Sequence, residues 1–328
     1  MTPPQSVRSG VSIARHPQGG LSLIELMIAL TIGMLIMAAL GALLLSITRN
    51  NSELAKANAQ IENGRFAIQL LQNDLVHAGF WGELTPEAPA AIPDPCLAVA
   101  SWNASYKENM LGAPVLGYSS STIPGACDKV TAAQANSDVL VVRHANTCTA
   151  GSSGCDGGIN DQYLQVSRCT TNAEATYTIG AGAGPFPLTN KDCSTTADQR
   201  KIVSNIYFVS NNRLMRSAFE NGAHQKAEPL IDGIEALRFE YGVDSTGDGS
   251  PDVYLSVPPT TLAQVSNIVS VKVHVLARNL EATPGYKDTK TYQLGNTPAI
   301  SAANDGFKRH VFSTTVRLVN PSGRREVP

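Results

Sequence analysis

The sequence predicts an α+β protein: one long N-terminal helix, transmembrane then amphipathic, packed on an antiparallel β-sheet head. Three observations carry this. From Leu26 to Ile47 run 22 residues without a charge. Apolar residues then recur every three or four positions as far as Ala78. Beyond residue 135 the period changes to short alternating runs rich in Val, Ile and Tyr. A chain of 328 residues with 43% hydrophobic and 16% charged residues has the composition of a packed protein, not a disordered one. Its net charge of −2 gives no basic footprint, which argues against a nucleic-acid partner. The organisation expected is a leader over 1–20, a transmembrane helix over 21–48, an amphipathic continuation over 49–82, and an exported β-rich head over 83–328.

The first twenty residues carry Arg8, Arg15 and His16, no acid, and end in Gly19-Gly20. The apolar run that follows is about 33 Å of helix at roughly 1.5 Å per residue, enough to cross a bilayer. A cleavable secretory signal has a shorter apolar region, about 7–15 residues, and no helical pattern continuing past it. The basic leader places the N-terminus on the cytoplasmic side.

Glu25 interrupts the apolar start of the helix. A carboxylate in a membrane costs about 2.5–3.5 kcal/mol at the bilayer centre and needs a partner. No residue in the following span supplies one. A cut after Gly20 would free an α-ammonium on Leu21, which a staggered neighbouring molecule could bring to Glu25.

Gly20 followed by Leu-Ser-Leu-Ile-Glu resembles the class III signal of type IV prepilins and type II secretion pseudopilins. The resemblance implies cleavage after Gly20 by a prepilin peptidase, methylation of Leu21, and a role for Glu25 in registering the subunit against a neighbour. Leu21 stands where the family usually has Phe. Ala42 stands where major pilins carry a helix-breaking proline, leaving Gly33 and Gly41 as the weak points of the span. Residues 62–82 (ENGRFAIQLLQNDLVHAGFWG) and 311–320 (VFSTTVRLVN) are similar to PilW-type minor pilins. The family reading implies a non-catalytic subunit that primes pilus assembly with other minor pilins and the major pilin, near the pilus tip. Its further partners would be an inner-membrane assembly platform and a tip adhesin. It would sit in the inner membrane before assembly and in the extracellular pilus after. A type II secretion pseudopilin is the alternative within the class; a membrane-anchored periplasmic enzyme or binding protein is the alternative outside it.

The amphipathic half reads as one stripe, Leu54, Ala57, Ile61, Gly64, Ile68, Leu71, Leu75 and Ala78, closed by Gly79 as a C-cap. A single helix over 21–78 would be about 87 Å long. Residues 83–135, rich in proline, read as an irregular cover. Strands are expected at 138–144, 162–168, 202–210, 213–217, 230–243, 267–278 and 310–318, with Asn211-Asn212 turning a hairpin. The run Gly180–Gly184 reads as a loop.

All six cysteines, Cys96, Cys127, Cys148, Cys155, Cys169 and Cys193, lie beyond the span, as disulfides of an exported head would. Fifteen connectivities are open. Sequential pairing, each link closing a loop, is the one expected. No C-x-x-C spacing favours zinc instead. In DSTGDGSPD, Asp244, Thr246, Asp248 and Asp252 fall at positions 1, 3, 5 and 9 of a calcium-loop pattern, with Gly249 at 6. Leu255 takes the place of the bidentate Glu, so an Asx-rich hairpin turn competes with a Ca²⁺ site. No other cofactor is expected. There is no P-loop, G-x-S-x-G or H-E-x-x-H, and the six histidines are scattered.

Overall fold

The computed structural model describes residues 20, 22–120, 122–124, 127–153, 155, 158–171, 174–182 and 184–326. The leader up to residue 19, and Leu21, lie outside the described residues. The chain divides into two compact units, Met1–Leu54 and Ala55–Pro328. Helix α1 (Leu23–His77) contributes its residues up to 54 to the first and the rest to the second.

In the first unit the helix keeps its apolar side chains on the outside, from Leu23 to Ile47. It is long and apolar enough to cross a membrane by length and composition.

The second unit is built on antiparallel sheets. Its strands are β1 (Val115–Ser119), β2 (Asp138–Ala145), β3 (Gln162–Val166), β4 (Tyr177–Ala181), β5 (Gln199–Ser210) and β6 (Arg213–Glu220). There follow β7 (Ala223–His224), β8 (Glu228–Asp232), β9 (Ile234–Val243), β10 (Val253–Leu255), β11 (Ile268–Arg278) and β12 (Arg309–Arg317). Among the described residues, one 3-10 turn (Val99–Ser101) and three short α-helices, α2 (Ala104–Gly112), α3 (Leu262–Ser266) and α4 (Val319–Gly323), complete it. One sheet has the order β1-β2-β5-β3-β4, with β6 pairing β5 and carrying β7 and β8; the other is β10-β9-β11-β12. The antiparallel head is thus made, among the described residues, of two sheets. The strand expected over 230–243 is two, because Gly233 at φ +75° turns the chain out of extended conformation, and the halves join different sheets.

Residues 83–135 are less irregular than their prolines suggest. The Asn103 side chain accepts from the Tyr106 N–H and starts α2, and β1 pairs β2 in register, Val115 with Val142. Five residues with a central glycine (VLGYS) are too few to show a period. Gly180 and Ala181 extend β4 instead of forming a loop, since β3 supplies ladder partners at Tyr163 and Gln162. The Asn211-Asn212 turn has φ of +51° and +56°, the primed hairpin geometry that asparagine tolerates.

The main core gathers Ala67, Leu71, Leu75 and Ala78 of the helix side with Leu140, Val142, Tyr207, Leu237, Phe239, Val271, Val273 and Val275 of both sheets. The helix face that packs runs Gln60, Gly64, Ala67, Leu71, Leu75. It is rotated from the stripe read in the sequence: Leu54 and Ile61 stay exposed, and Gln60 is buried because its amide donates to the Ala277 and Lys308 carbonyls. At Gly64 the helix backbone lies against the Phe312 ring, which occupies the space a Cβ would need.

Candidate functional site

The residues that sequence reasoning marks for function fall in three places: the start of α1, the loop between β9 and β10, and the disulfide-linked cover.

Helix α1 begins at Leu23, so Ser22 is its cap and Glu25 its third residue. Ser22 Oγ accepts from the Ile24 N–H at 3.2 Å, and Glu25 Oε2 accepts from the Ser22 N–H at 2.9 Å. Both side chains thus accept from backbone N–H groups at the start of the helix, where the first turn leaves donors without helical partners. The Ser22-x-x-Glu25 spacing is legible in the sequence itself. Glu25 thus has a partner within its own chain. Gly20 is exposed, upstream of the first turn.

The loop Asp244–Asp252 joins β9 to β10, which pair Val243 with Val253. Asp244 is fully buried; its Oδ1 accepts from the Gly247 N–H at 2.6 Å and its Oδ2 from the Gly249 N–H at 2.9 Å. Arg325, 81 residues away, donates to the same Oδ2 at 3.2 Å and to the Asp244 carbonyl at 3.0 Å. Burial pushes the Asp244 carboxyl up, but these donors outweigh it and hold it below the usual carboxylate range. Asp252 Oδ2 accepts from the N–H groups of Ser245 and Thr246 at 2.7 and 3.0 Å, and Asp248 Oδ1 from the Ser250 N–H at 2.8 Å. Thr246 Oγ1 lies between Asp244 and Asp252, 3.3 Å from each. A calcium ion needs several of these oxygens pointed at one centre. Here they accept from backbone N–H groups and, at Asp244, from a guanidinium, the bonds that hold the loop as a turn.

What the loop does hold is the C-terminal segment. Ser322 Oγ donates to the Gly249 carbonyl at 2.6 Å, and Arg325 also reaches Asn267. From the same segment the Asn320 amide donates to the Ala78 carbonyl at 3.2 Å, and Arg324 to the Gly79 carbonyl at 2.9 Å. These carbonyls are the unpaired acceptors just past α1, where donors and positive charge are favoured. One turn earlier, Asp74 accepts from Asn205 at 3.0 Å and contacts the His144 ring at 2.9 Å. The end of the helix is fixed to the head by polar contacts as well as by its apolar face.

The six cysteines form three bonds, Cys96–Cys127, Cys148–Cys155 and Cys169–Cys193, each joining neighbours in sequence order. Among the described residues, Asp94, Cys96 and Cys127 are close enough together to hold a metal ion, but both sulfurs are committed to the disulfide.

Comparison with known proteins agrees with both ends of the chain. Residues 15–41 match the prokaryotic N-terminal methylation motif, and residues 203–320 match the family of type IV pilus-assembly protein W. No curated protein matches the chain. Among solved structures, a type IV-like pilin from Thermus thermophilus is similar over 80% of this chain and 97% of its own, at 14% identity and a TM-score of 0.38.

Proposed function

Because the chain is a type IV pilin-like protein with a prepilin methylation motif and a PilW region, we propose that it works as a minor pilin: a structural subunit that primes pilus assembly and occupies the tip. The observation that carries this reading is the junction at Gly20, where a processing motif meets a capped apolar helix bearing one acid, Glu25. Before assembly the helix anchors the chain in the inner membrane with its N-terminus in the cytoplasm. A peptidase cuts after Gly20, and the freed, methylated amine of Leu21 becomes available to the glutamate of a neighbouring subunit. Glu25 in turn registers this chain on the subunit below it. The partners are then the major pilin, other minor pilins, the assembly platform and a tip adhesin. The region matched to pilus-assembly protein W favours a pilus over a secretion pseudopilus.

N-terminal sequencing of the chain extracted from membranes tests this most directly. The expected product begins at Leu21 with a methylated amine. An intact leader, or a cut elsewhere, rejects the reading.

A further inference from the structure

The strand edges of the head are not protected equally. An exposed edge carries unpaired N–H and C=O groups, and proteins blunt it with shortness, proline, bulges or a cover. β10 is three residues long, and β4 five. β8 contains Pro229 and pairs β6 through a register shift. β1 is covered, with Val115, Leu116 and Gly117 buried. β12 has none of these devices. It runs nine residues, pairs β11 without a break from Ser270↔Arg317 to Arg278↔Arg309, and contains no proline.

The direction of its free hydrogen bonds follows from the ladder. The Leu318 N–H donates to the Val269 carbonyl, and the Asn279 N–H to the Lys308 carbonyl, in one continuous register with the strand pair. Even-numbered residues of β12 therefore exchange bonds with β11, and Val311, Ser313 and Thr315 turn their N–H and C=O outward. No hydrogen bond among the described residues uses those outward backbone groups. Ser313 and Thr315 are exposed. The charge along this edge is neutral: no Asp, Glu, Lys or Arg lies between Arg309 and Arg317. Both flanking arginines are satisfied within the chain, Arg309 by Glu235, Asp288 and Asp305, and Arg317 by Glu326 and Ser322.

We propose that β12 is a docking edge that takes an extended, uncharged strand from another pilus subunit, extending the β10-β9-β11-β12 sheet by one strand. This rests on the pilin reading above for the identity of the partner. Main-chain bonds from Val311, Ser313 and Thr315 supply the pairing, and the neutral edge selects a neutral strand.

The test uses the full chain in detergent, alone and in complex with the major pilin and the other minor pilins co-expressed from its own system. Hydrogen exchange is followed on residues 309–317. The Val311, Ser313 and Thr315 amides should exchange rapidly in the chain alone and lose that rapid exchange in the complex. Thr315→Pro removes one outward donor and leaves the β11 ladder intact, so complex recovery should fall about tenfold or more. Thr315→Ala keeps the donor and should recover as wild type. Rapid exchange persisting in the complex, or Thr315→Pro recovering normally, overturns the proposal. So does protection that appears in the chain alone as its concentration rises, which would mean self-pairing. If Thr315→Pro fails to fold, the wild-type exchange comparison decides. Glu25→Gln separates the two readings: its normal recovery in the complex would count against the pilin reading, while the β12 result stands or falls on its own amides.

Discussion

Glu25 Oε2 receives the Ser22 N–H at 2.9 Å, so the acid that marks the apolar helix also closes that helix's first turn. The structure shows this capping role, and the proposed function adds a second, in assembly. The capping bond needs an acceptor oxygen, and registration against a freed ammonium needs a negative charge.

Glu25→Gln divides these roles, because glutamine keeps the acceptor and loses the charge. The variant should insert in the membrane and lose its leader as wild type does, yet fail to enter pili. Ser22→Ala removes the hydroxyl cap, which is worth about 1 kcal/mol, and should assemble at a moderately reduced level. Immunoblots of sheared pili against membranes give both values. Equal entry of the Gln variant would show that charge is not what registers the subunit.

Gly64→Ala sets two effects against each other. Alanine gains up to about 1 kcal/mol in helix propensity, but its methyl would overlap the Phe312 ring, and overpacking costs about 1–3 kcal/mol. The head should be destabilised on balance. Phe312→Leu makes room, so the double variant should be more stable than the two single losses predict. Thermal denaturation of the four chains completes the cycle, and simple additivity would contradict the contact.

His224 gives the head a dependence on mild acid. Burial first, and then the nearby Arg143 charge, hold its imidazole down to about 4. A base lowered in the folded state binds its proton more readily when unfolded. Its contribution is fully present above the unfolded value of about 6.5 and is lost as pH falls through about 4. Melting temperature should decline between those limits, and His224→Gln should flatten that part of the profile. An unchanged slope in the variant would assign the decline to another group.

Arg325 and Asp244 predict how the β9–β10 loop answers to calcium. Its carboxylate oxygens are taken by N–H groups and the guanidinium, so millimolar Ca²⁺ should leave the melting temperature of the wild-type chain unchanged. Arg325→Gln leaves a buried carboxylate short of a donor and should cost about 1–3 kcal/mol. The Asp244 carboxyl, lowered in the fold, contributes stability above its unfolded value near 4 that disappears as pH falls below it. A calcium-dependent rise in melting temperature would restore the metal reading of this loop.

Local chemistry fixes the parts of this protein that the sequence shows by itself. The uncharged run before Ile47, the Gly20 junction, the alternation of Val269, Val271, Val273 and Val275, and the Asn211-Asn212 turn each express a preference set by neighbours within a few residues. The tertiary structure decided what depends on distant partners. Gln60 is buried because the Ala277 and Lys308 carbonyls receive its amide, while Ile61 beside it stays in the open. The spacing of Asp244, Asp248 and Asp252 is equally suited to a cation and to a turn. Arg325 adds a donor to the first of them, Asp244, by arriving from 81 residues away, a contact that no local spacing announces. A sequence period records which residues can share a face. Only the packed chain determines which donors reach it, since a buried oxygen takes whichever partner the fold brings within bonding distance.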